Sequence, residues 1–576
     1  MSSERKKNLK NVGLAAFGGS MVDRRPVIAV SIRLHEFRTM ANIVHRDSIY
    51  RPTDRLLYKY WALRMRDISA TAKRALVVVA TICAVYAAAP ALNLGFVSDD
   101  YIHLSVDRNK PWYFSSDHLY RPLRSGFFKL MAASFGLEPQ PYRVLTLLAY
   151  LVCAVLFYRY LRALKMTTMA ATMAALLGFF TPRNHELLFW FSAVQDQICV
   201  IWILALLLCW IRFRQRGSRA AWVGSVFFLA VALGFKEIAI IAPVLAYLTD
   251  RLFVTQQSAT EFPPEGWLPY CGFAVTLILY AAFVYSYPDG LLHMDGASTR
   301  YGPSNASVAA TAEVRSALNL VLSFEPAFAL RDIGLALTVK LAVVIGLLAA
   351  LAVRSRSRIW PFAIVWVLAA LAPTSAFAGT VNDDRYLFLA GLGLAAAIGG
   401  SVSDIVIRSR GLAAHFCIAA VCIYCIAGAM SLARYREVWR TAAATTREIV
   451  KAVETILPKP GPAQIDFVNV PREIKGIAVV NNGLGGAFLA RGYREHLQLN
   501  INHESTISDP VQDQLIAGIR NCSMTDSQND RHILLMTGFA ATDHTGSCAG
   551  QVIAEDMRAR PWAWYAFPRR QAPPNR

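Results

Sequence analysis

Charged side chains follow the ends of apolar segments in this sequence and suit a group-transfer reaction. Two adjacent carboxylates, Asp99 and Asp100, stand in the stretch GFVSDDYIHL, just after the first apolar run. A carboxylate within hydrogen-bond reach of a hydroxyl can take its proton during attack, which typically raises the rate about 10²–10⁴-fold. The alternatives are that the pair only caps the following helix, or that it holds a divalent metal ion, which we do not expect.

Basic side chains that flank other apolar segments suit a phosphate group. An arginine binds phosphate through two parallel hydrogen bonds, and a lysine binds it as a point charge. Ionisable residues at membrane depth are costly and usually functional. Each turn taken singly fits an ordinary polar loop or an interfacial anchor, but their common side of the membrane favours a site. The candidate cations are Arg121, Arg183, Lys236 and Arg385, and the supporting side chains are Glu186, Asp196, Glu237 and Tyr386.

The elements that position these residues are apolar runs long enough to cross a bilayer. The chain of 576 residues is 55% hydrophobic and only 17% charged, with a mean hydropathy of +0.36. Since about 20 apolar residues cross a membrane as a helix, we predict an all-α polytopic membrane protein with about eleven transmembrane helices. The predicted spans are 75–94, 142–163, 167–181, 187–211, 220–235, 238–253, 267–287, 333–353, 359–377, 386–407 and 411–433.

Short basic loops predict the orientation of these spans. Loops such as Arg159–Lys165, Arg212–Arg219 and Arg354–Arg358 alternate with the loops that carry the candidate residues. Basic loops remain in the cytoplasm, so we expect a multi-pass inner-membrane protein with a cytoplasmic N-terminus and an extracytoplasmic site. The net charge of +20 is concentrated in residues 1–74 and in these loops. It indicates membrane lipids as partners rather than nucleic acid.

Three domains are predicted: a basic cytoplasmic segment 1–74, a transmembrane domain 75–433 and a small extracytoplasmic α/β domain 434–576. In the last, Tyr435–Leu457 has the pattern of an amphipathic helix. QIDFVNVP, GIAVVNNGLGGAFLARGY and HILLMTGF read as strands with glycine turns. Cys522 and Cys548 lie outside the apolar runs, and in an oxidising compartment we expect them to form a disulfide.

The order of five motifs resembles the GT-C membrane glycosyltransferases, in particular bacterial relatives of the transmembrane and TPR-containing O-mannosyltransferases. These motifs are FVSDDYIHL, LYRPLRSGFFKL, TPRNHELLFWFSAVQDQ, GFKEIAIIAPVL and DDRYLFLAGLGL, from about Gly95 to Gly400. Thr181 stands where the family commonly has histidine, and Gln195 where it often has arginine. No TPR array follows.

The resemblance implies a GT-C-like bundle that transfers a sugar from a polyprenyl phosphate to an acceptor hydroxyl on the extracytoplasmic face, in one inverting displacement. By analogy with the family's first acidic residue, Asp99 is preferred to Asp100 as the base. Arg385, Lys236, Arg121 and Arg183 would bind the donor phosphate. The lipid-linked sugar is the only cofactor-like partner expected, and no metal is expected. The acceptor, whether glycan, glycolipid or protein, stays open.

Two other activities on polyprenyl-linked sugars are considered. A polysaccharide polymerase or ligase usually depends on a large external loop, and residues 288–332 could form one. A flippase would need charged groups along a path at the membrane midplane, and the apolar runs hold almost none.

Overall fold

The fold is that of a helical membrane protein with a small sheet near its C-terminus, which confirms the predicted fold class. The computed structural model describes residues 77–109, 120–254, 267–286, 306–324, 335–355, 359–377, 384–408, 412–457, 463–471, 473–475, 477–479, 484–491, 497–503, 510–522, 531–537, 540–545, 547–559 and 564–567. The basic segment 1–74 lies outside these residues. The described residues all belong to one unit, Lys73–Arg576.

Fifteen helices precede the sheet in the described part of the chain, besides short 3-10 turns and one π-helical turn (Asp250–Val254). The first eight are α1 (Val77–Asn93), α2 (Asp99–Asn109), α3 (Pro122–Phe135), α4 (Pro139–Ala163), α5 (Thr168–Phe179), α6 (His185–Phe189), α7 (Val194–Arg216) and α8 (Arg219–Phe235). The next seven are α9 (Ala242–Thr249), α10 (Cys271–Ser286), α11 (Ala306–Val321), α12 (Leu335–Ser355), α13 (Ile359–Phe377), α14 (Phe388–Arg408) and α15 (Leu412–Ile456).

Among the described residues, six helices are long and apolar enough to cross a membrane: those that contain α4, α7, α10, α12, α14 and α15. Four shorter apolar helices are α1, α5, α8 and most of α13. All of these lie on predicted spans, whereas the total of eleven crossings stays a prediction. None of the most apolar stretch of α12 is buried inside the protein, whereas 67% of the corresponding stretch of α7 is buried. Helix α12 is therefore suited to face lipid, and α7 lies at the centre of the bundle.

Helix α15 differs from its prediction. The predicted membrane span 411–433 and the predicted amphipathic helix Tyr435–Leu457 are one continuous helix of 45 residues. The sequence between Ala429 and Ile456 contains neither glycine nor proline, so nothing in it interrupts the hydrogen-bond ladder. The predicted domain boundary at 434 falls inside this helix.

The C-terminal sheet contains β1 (Ala463–Val470), β4 (Leu497–His503), β5 (Arg531–Thr537), β6 (Ala540–Asp543) and β7 (Trp564–Phe567), in the order β6-β5-β1-β4-β7. Strand β1 is parallel to β4 and to β5, and the two edge strands are antiparallel. A separate hairpin contains β2 (Glu473–Ile474) and β3 (Ile477–Ala478). The strands predicted in QIDFVNVP and HILLMTGF are confirmed.

Three helices accompany the sheet: α16 (Leu484–Ala490), α17 (Pro510–Arg520) and α18 (Ser547–Ala559). Apolar side chains of α17 and α18 pack on β1 and β5, with Val468, Ile519 and Leu535 fully buried. Cys522 and Cys548 form a disulfide between the two helices, with Cα atoms 5.7 Å apart. The prediction of a strand in the second half of GIAVVNNGLGGAFLARGY is wrong, because this segment forms helix α16.

Candidate active site

The two adjacent aspartates begin helix α2 and have different surroundings. Asp100 is fully buried. Its Oδ1 accepts hydrogen bonds from the Ser192 backbone nitrogen (2.8 Å) and hydroxyl (2.7 Å), and its Oδ2 accepts one from the Val97 nitrogen (3.2 Å). Burial raises the pKa of the Asp100 carboxyl above its ordinary value, although the Arg143 charge and these hydrogen bonds oppose the shift. The enclosure of Asp100 argues against the predicted catalytic role for this residue.

Arg143, on α4, also contacts Asp100 and the loop before it. Its guanidinium lies 3.7 Å from Asp100 and donates hydrogen bonds to the carbonyl oxygens of Leu94, Gly95 and Phe189. The side chain is 1% exposed. Arg143 and Asp100 thus bind the chain on both sides of the acidic loop, a role that the sequence did not reveal.

Asp99 is half-buried, and its Oδ1 lies 3.4 Å from the Ser98 hydroxyl. Ser98 has a left-handed backbone (φ 45°), and its nitrogen donates to the carbonyl oxygen of Val479 in the C-terminal part. Of the two predicted bases, Asp99 is therefore the more accessible.

Helix α16 packs directly on the first turn of α2. A Cβ atom on Gly486 would lie 2.8 Å from the carbonyl oxygen of Tyr101 and 3.0 Å from the nitrogen of Ile102. Only a glycine allows this approach without a shift of backbone. The guanidinium of Arg491 lies 5.7 Å from the centre of the Tyr101 ring. The C-terminal part thus contacts the acidic loop through several residues.

Arg121 is held by a carboxylate. Its Nε and one terminal nitrogen each donate to Glu237 at 2.8 Å, and its other terminal nitrogen lies 3.4 Å from the side-chain oxygen of Gln195. Burial would raise the pKa of Glu237, but Arg121 and Lys236 lower it below its ordinary value. Arg121 and Glu237 therefore form a bidentate ion pair.

Lys236 lies at the end of α8, next to the predicted carboxylate Asp196. Its Nζ donates to Oδ1 of Asp196 and lies 4.3 Å from the centre of the Tyr386 ring. The other oxygen of Asp196 is buried and has no hydrogen-bond partner among the described residues. A buried acceptor in this state suits a hydroxyl donor from a ligand.

Arg385 lies against two aromatic rings. Its guanidinium carbon is 4.4 Å from the centre of the Trp190 ring and 5.1 Å from that of Tyr386. Glu186 accepts a hydrogen bond from the Arg385 backbone nitrogen at 3.0 Å. The indole nitrogen of Trp190 is buried and makes no hydrogen bond within the described residues. The predicted residues Arg385, Tyr386 and Glu186 are therefore neighbours, and Trp190 joins them.

Arg183 is engaged by structural partners. Its guanidinium donates to both oxygens of Asp384 (3.0 and 3.3 Å) and to backbone carbonyl oxygens of Asn319 and Leu322. It is 2% exposed. These contacts fasten the segment around α11 to the bundle and argue against the predicted phosphate contact of Arg183.

His185 shares Asp384 with Arg183. Its Nε2 lies 3.1 Å from Oδ2 of Asp384, and its Nδ1 accepts a hydrogen bond from the Trp439 indole at 3.2 Å. These two partners assign the ring proton to Nε2. Its ring stacks on Tyr435, with centres 4.0 Å apart. Helix α15 is thus joined to the site through His185, a residue that the sequence analysis does not single out.

Hydrogen bonds connect the acidic loop with the cation cluster. Asp100 binds Ser192, whose carbonyl oxygen accepts from Gln195 at 3.0 Å. Gln195 in turn contacts Arg121, which holds Glu237. Ser192 and Gln195 therefore connect Asp100 with Arg121 and Glu237, although Glu237 is more than a hundred positions from Asp100 in the chain.

Two cavities are lined by residues of the turn 181–184. One, of about 200 Å³, is mostly apolar and is lined by residues of α5, α11, α12, α14 and α15, with Thr181, Arg183 and Asn184 among its polar residues. The other, of about 730 Å³, lies between α15, the β2–β3 hairpin and Pro182. Phe324 lines both. In the described part of the chain, no group of three or more His, Cys, Asp or Glu side chains is arranged to hold a metal ion.

Comparison with known proteins gives a family match over part of the chain. Residues 121–285 match the model of the dolichyl-phosphate-mannose-protein mannosyltransferase family. This range covers the third and fourth of the five motifs and all but the first two residues of the second. None of the curated proteins matches the chain.

Two solved structures are similar at low identity. ArnT from Cupriavidus metallidurans, crystallised with undecaprenyl phosphate, is 13% identical over 84% of this chain and 99% of its own, with a TM-score of 0.47. The oligosaccharyltransferase AglB from Archaeoglobus fulgidus, in complex with an inhibitory peptide and a dolichol-phosphate, is 12% identical over 77% of this chain and 70% of its own, with a TM-score of 0.37. At these scores the likeness carries no argument about function.

Proposed function

We propose that this chain is a membrane glycosyltransferase of the GT-C kind, which transfers a sugar from a polyprenyl-phosphate donor to an acceptor hydroxyl on the extracytoplasmic face. The match of residues 121–285 to the dolichyl-phosphate-mannose-protein mannosyltransferase family supports this proposal. The observation that carries the proposal is the buried cluster of Arg121, Lys236 and Arg385 with their carboxylate and aromatic partners. Fixed cations beside a membrane helix bundle suit a phosphate leaving group, since they need no reorganisation during the reaction.

Arg385 is the proposed contact to the donor phosphate. Trp190 and Tyr386 fix its guanidinium, and a planar guanidinium matches phosphate geometry. Arg121 and Lys236 are bound by Glu237 and Asp196, so their proposed role is to shape the local potential.

The lipid chain and the sugar have candidate places next to Arg385. Phe388, the first residue of α14, lies three positions after Arg385 and lines the apolar cavity of about 200 Å³, which suits part of a prenyl chain. The buried Asp196 oxygen and the Trp190 indole nitrogen, one acceptor and one donor, suit sugar hydroxyls.

Asp99 is the proposed general base. In one displacement the acceptor oxygen bonds to the anomeric carbon and gives its proton to Asp99. The bond to the phosphate oxygen breaks as the new bond forms, and the anomeric configuration inverts. Asp100 is proposed to hold the loop that presents Asp99. No step requires a metal ion.

The disulfide supports an extracytoplasmic C-terminal part. Disulfides persist in oxidising compartments such as the bacterial periplasm and are rare in the cytosol. The Cys522–Cys548 disulfide therefore agrees with the orientation that the basic loops predict. The proposed location is the inner membrane, with a cytoplasmic N-terminus.

A polysaccharide polymerase or ligase is the second candidate. Arg183 binds carbonyl oxygens of Asn319 and Leu322, and this attaches the described part of the large external loop to the site. A loop held in this way could accommodate a longer glycan donor.

Mass spectrometry of surface glycans and envelope proteins tests the proposal in cells that carry the wild-type chain, Asp99→Asn or Arg385→Gln. We expect one sugar residue to disappear in both variants while the protein remains in the membrane. The matched control is Asp513→Asn on the exposed face of α17, which should retain the sugar. Loss of a whole glycan block would favour the polymerase or ligase, and an unchanged glycan profile in Asp99→Asn would remove Asp99 from the mechanism.

A further inference from the structure

The larger cavity has the size of a ligand site. Its volume of about 730 Å³ lies within the range of ~300–1,000 Å³ that small-molecule sites occupy. Its lining on α15 extends from Ser431 to Thr441. Ten residues of helix extend about 15 Å, so the cavity is long enough for two or three sugar rings.

The charges of the lining favour an anion. Arg434 and Lys475 line the cavity together with the carboxylate Glu437. Glu437 is already compensated by two arginines of its own helix, Arg436 at 3.4 Å and Arg440 at 2.7 Å. Arg434 and Lys475 have no ion-pair partner within the described ranges. The cavity therefore offers a net positive charge.

Lys475 stands at a strained position. It lies in the turn of the β2–β3 hairpin with a positive φ of 49°. Glycine or asparagine adopts this conformation at lower cost, and a non-glycine residue there loses about 1–2 kcal/mol. The turn nevertheless carries a lysine, and that lysine lines the cavity.

An aromatic face and hydroxyl groups complete the lining. One face of the Tyr435 ring stacks on His185, and the ring also lines the cavity. The negative face of an aromatic ring suits the C–H groups of a sugar ring. Ser431 and Thr441 add hydroxyl groups that can bind sugar hydroxyls.

The cavity is adjacent to the site of transfer. Tyr435 contacts His185, which binds Asp384, and Asp384 directly precedes Arg385. Phe324 lines both this cavity and the apolar one that suits the donor chain. We propose that the cavity of Arg434, Tyr435 and Lys475 binds an acidic saccharide, with a carboxylate or phosphate at the two cations, and that this saccharide is the acceptor. The assignment as acceptor rests on the proposed function, but binding itself does not.

A binding measurement without donor tests this inference. Full-length protein in nanodiscs of zwitterionic phosphatidylcholine is titrated with trigalacturonate and with the neutral galactose trisaccharide of the same linkage. We expect at least tenfold tighter binding of the acidic trisaccharide. Arg434→Gln and Lys475→Gln should each weaken that binding about tenfold and leave binding of the neutral trisaccharide unchanged. The control Lys451→Gln, exposed on the same helix outside the cavity, should bind like the wild type.

An octyl group on the reducing end of trigalacturonate distinguishes the two sources of an acidic saccharide. Tenfold tighter binding of the octyl form assigns a glycolipid headgroup, and equal binding assigns a polysaccharide. Equal affinity for the acidic and neutral trisaccharides, or an equal loss in Lys451→Gln, would overturn the inference. Because no sugar is transferred, this result is independent of the test on Asp99.

Discussion

Gly486→Ala should separate the activity of the protein from its stability. The added Cβ would lie 2.8 Å from the Tyr101 carbonyl oxygen and 2.9 Å from its carbon, whereas ordinary contacts begin at 3.4 Å. The backbone of α2 or α16 must therefore move by roughly 0.6 Å. Tyr101 is two residues from Asp99, so this movement reaches the proposed base.

The expected loss of stability in Gly486→Ala is small compared with the expected loss of transfer rate. Overpacking typically costs about 1–3 kcal/mol of stability. Alanine recovers about 0.5–1 kcal/mol because Gly486 lies inside a helix. A misplacement of about 1 Å at a reacting group can lower the rate about 100-fold. We therefore expect a tenfold to hundredfold fall in kcat, with KM for the donor nearly unchanged and the free energy of unfolding reduced by at most about 2.5 kcal/mol.

The assay combines transfer rates with amide hydrogen exchange. In Gly486→Ala, residues 96–103 should exchange faster, while protection elsewhere in the membrane helices stays the same. Gly346→Ala is the matched control, because nothing lies within 4 Å of its added Cβ. If Gly486→Ala kept wild-type kcat and wild-type exchange over residues 96–103, the contact between α16 and the acidic loop would have no part in catalysis.

Three further predictions concern stability. In Asp100→Asn the side-chain amide replaces an acceptor oxygen that binds donors such as the Ser192 backbone nitrogen, and Arg143 loses its carboxylate partner. Thermal unfolding should therefore show that the free energy of unfolding falls by about 1–3 kcal/mol or more. Glu237 has a pKa below its ordinary value, so its arginine pair stabilises the fold above about pH 4.3 and this contribution is lost as the pH falls through the lowered pKa. Melting temperatures of Glu237→Gln and wild type should therefore differ at pH 7 and converge once the pH falls below the lowered pKa of Glu237. A difference that stays constant down to acid pH would contradict this. Replacement of Cys522 and Cys548 by serine should destabilise the C-terminal part by about 3–4 kcal/mol, and equal melting with and without reductant would show that the disulfide contributes nothing.

The positions of helices followed from the sequence because apolar length and breakers are local properties. The predicted span 359–377 coincides with α13, and 142–163 lies within α4. Strands β1 and β5 were also found, since their apolar residues fit a buried sheet. Helix α16 was missed because two glycines favoured a turn, whereas tertiary packing on α2 requires glycine inside a helix.

The members of the site were found by residue type, but their pairing was not. Arg183 and Asp384 are 201 positions apart and meet only through the fold. Nothing in the pair Asp99–Asp100 shows which residue is enclosed, because that depends on Ser192 and on Arg143 in another helix. The unpartnered oxygen of Asp196 likewise appears only when its neighbours are known.

Helix α15 is continuous over 45 residues, and its length bears on how far the protein extends above the lipid. At ~1.5 Å per residue such a helix measures about 67 Å, more than twice the ~30 Å of hydrocarbon in a bilayer. Residues 429–456 of the helix contain neither glycine nor proline, so its outer half has no sequence feature that would bend it. The thickness of the bilayer and the tilt of α15 together determine how far this helix extends above the membrane surface, and a thicker membrane would shorten that distance.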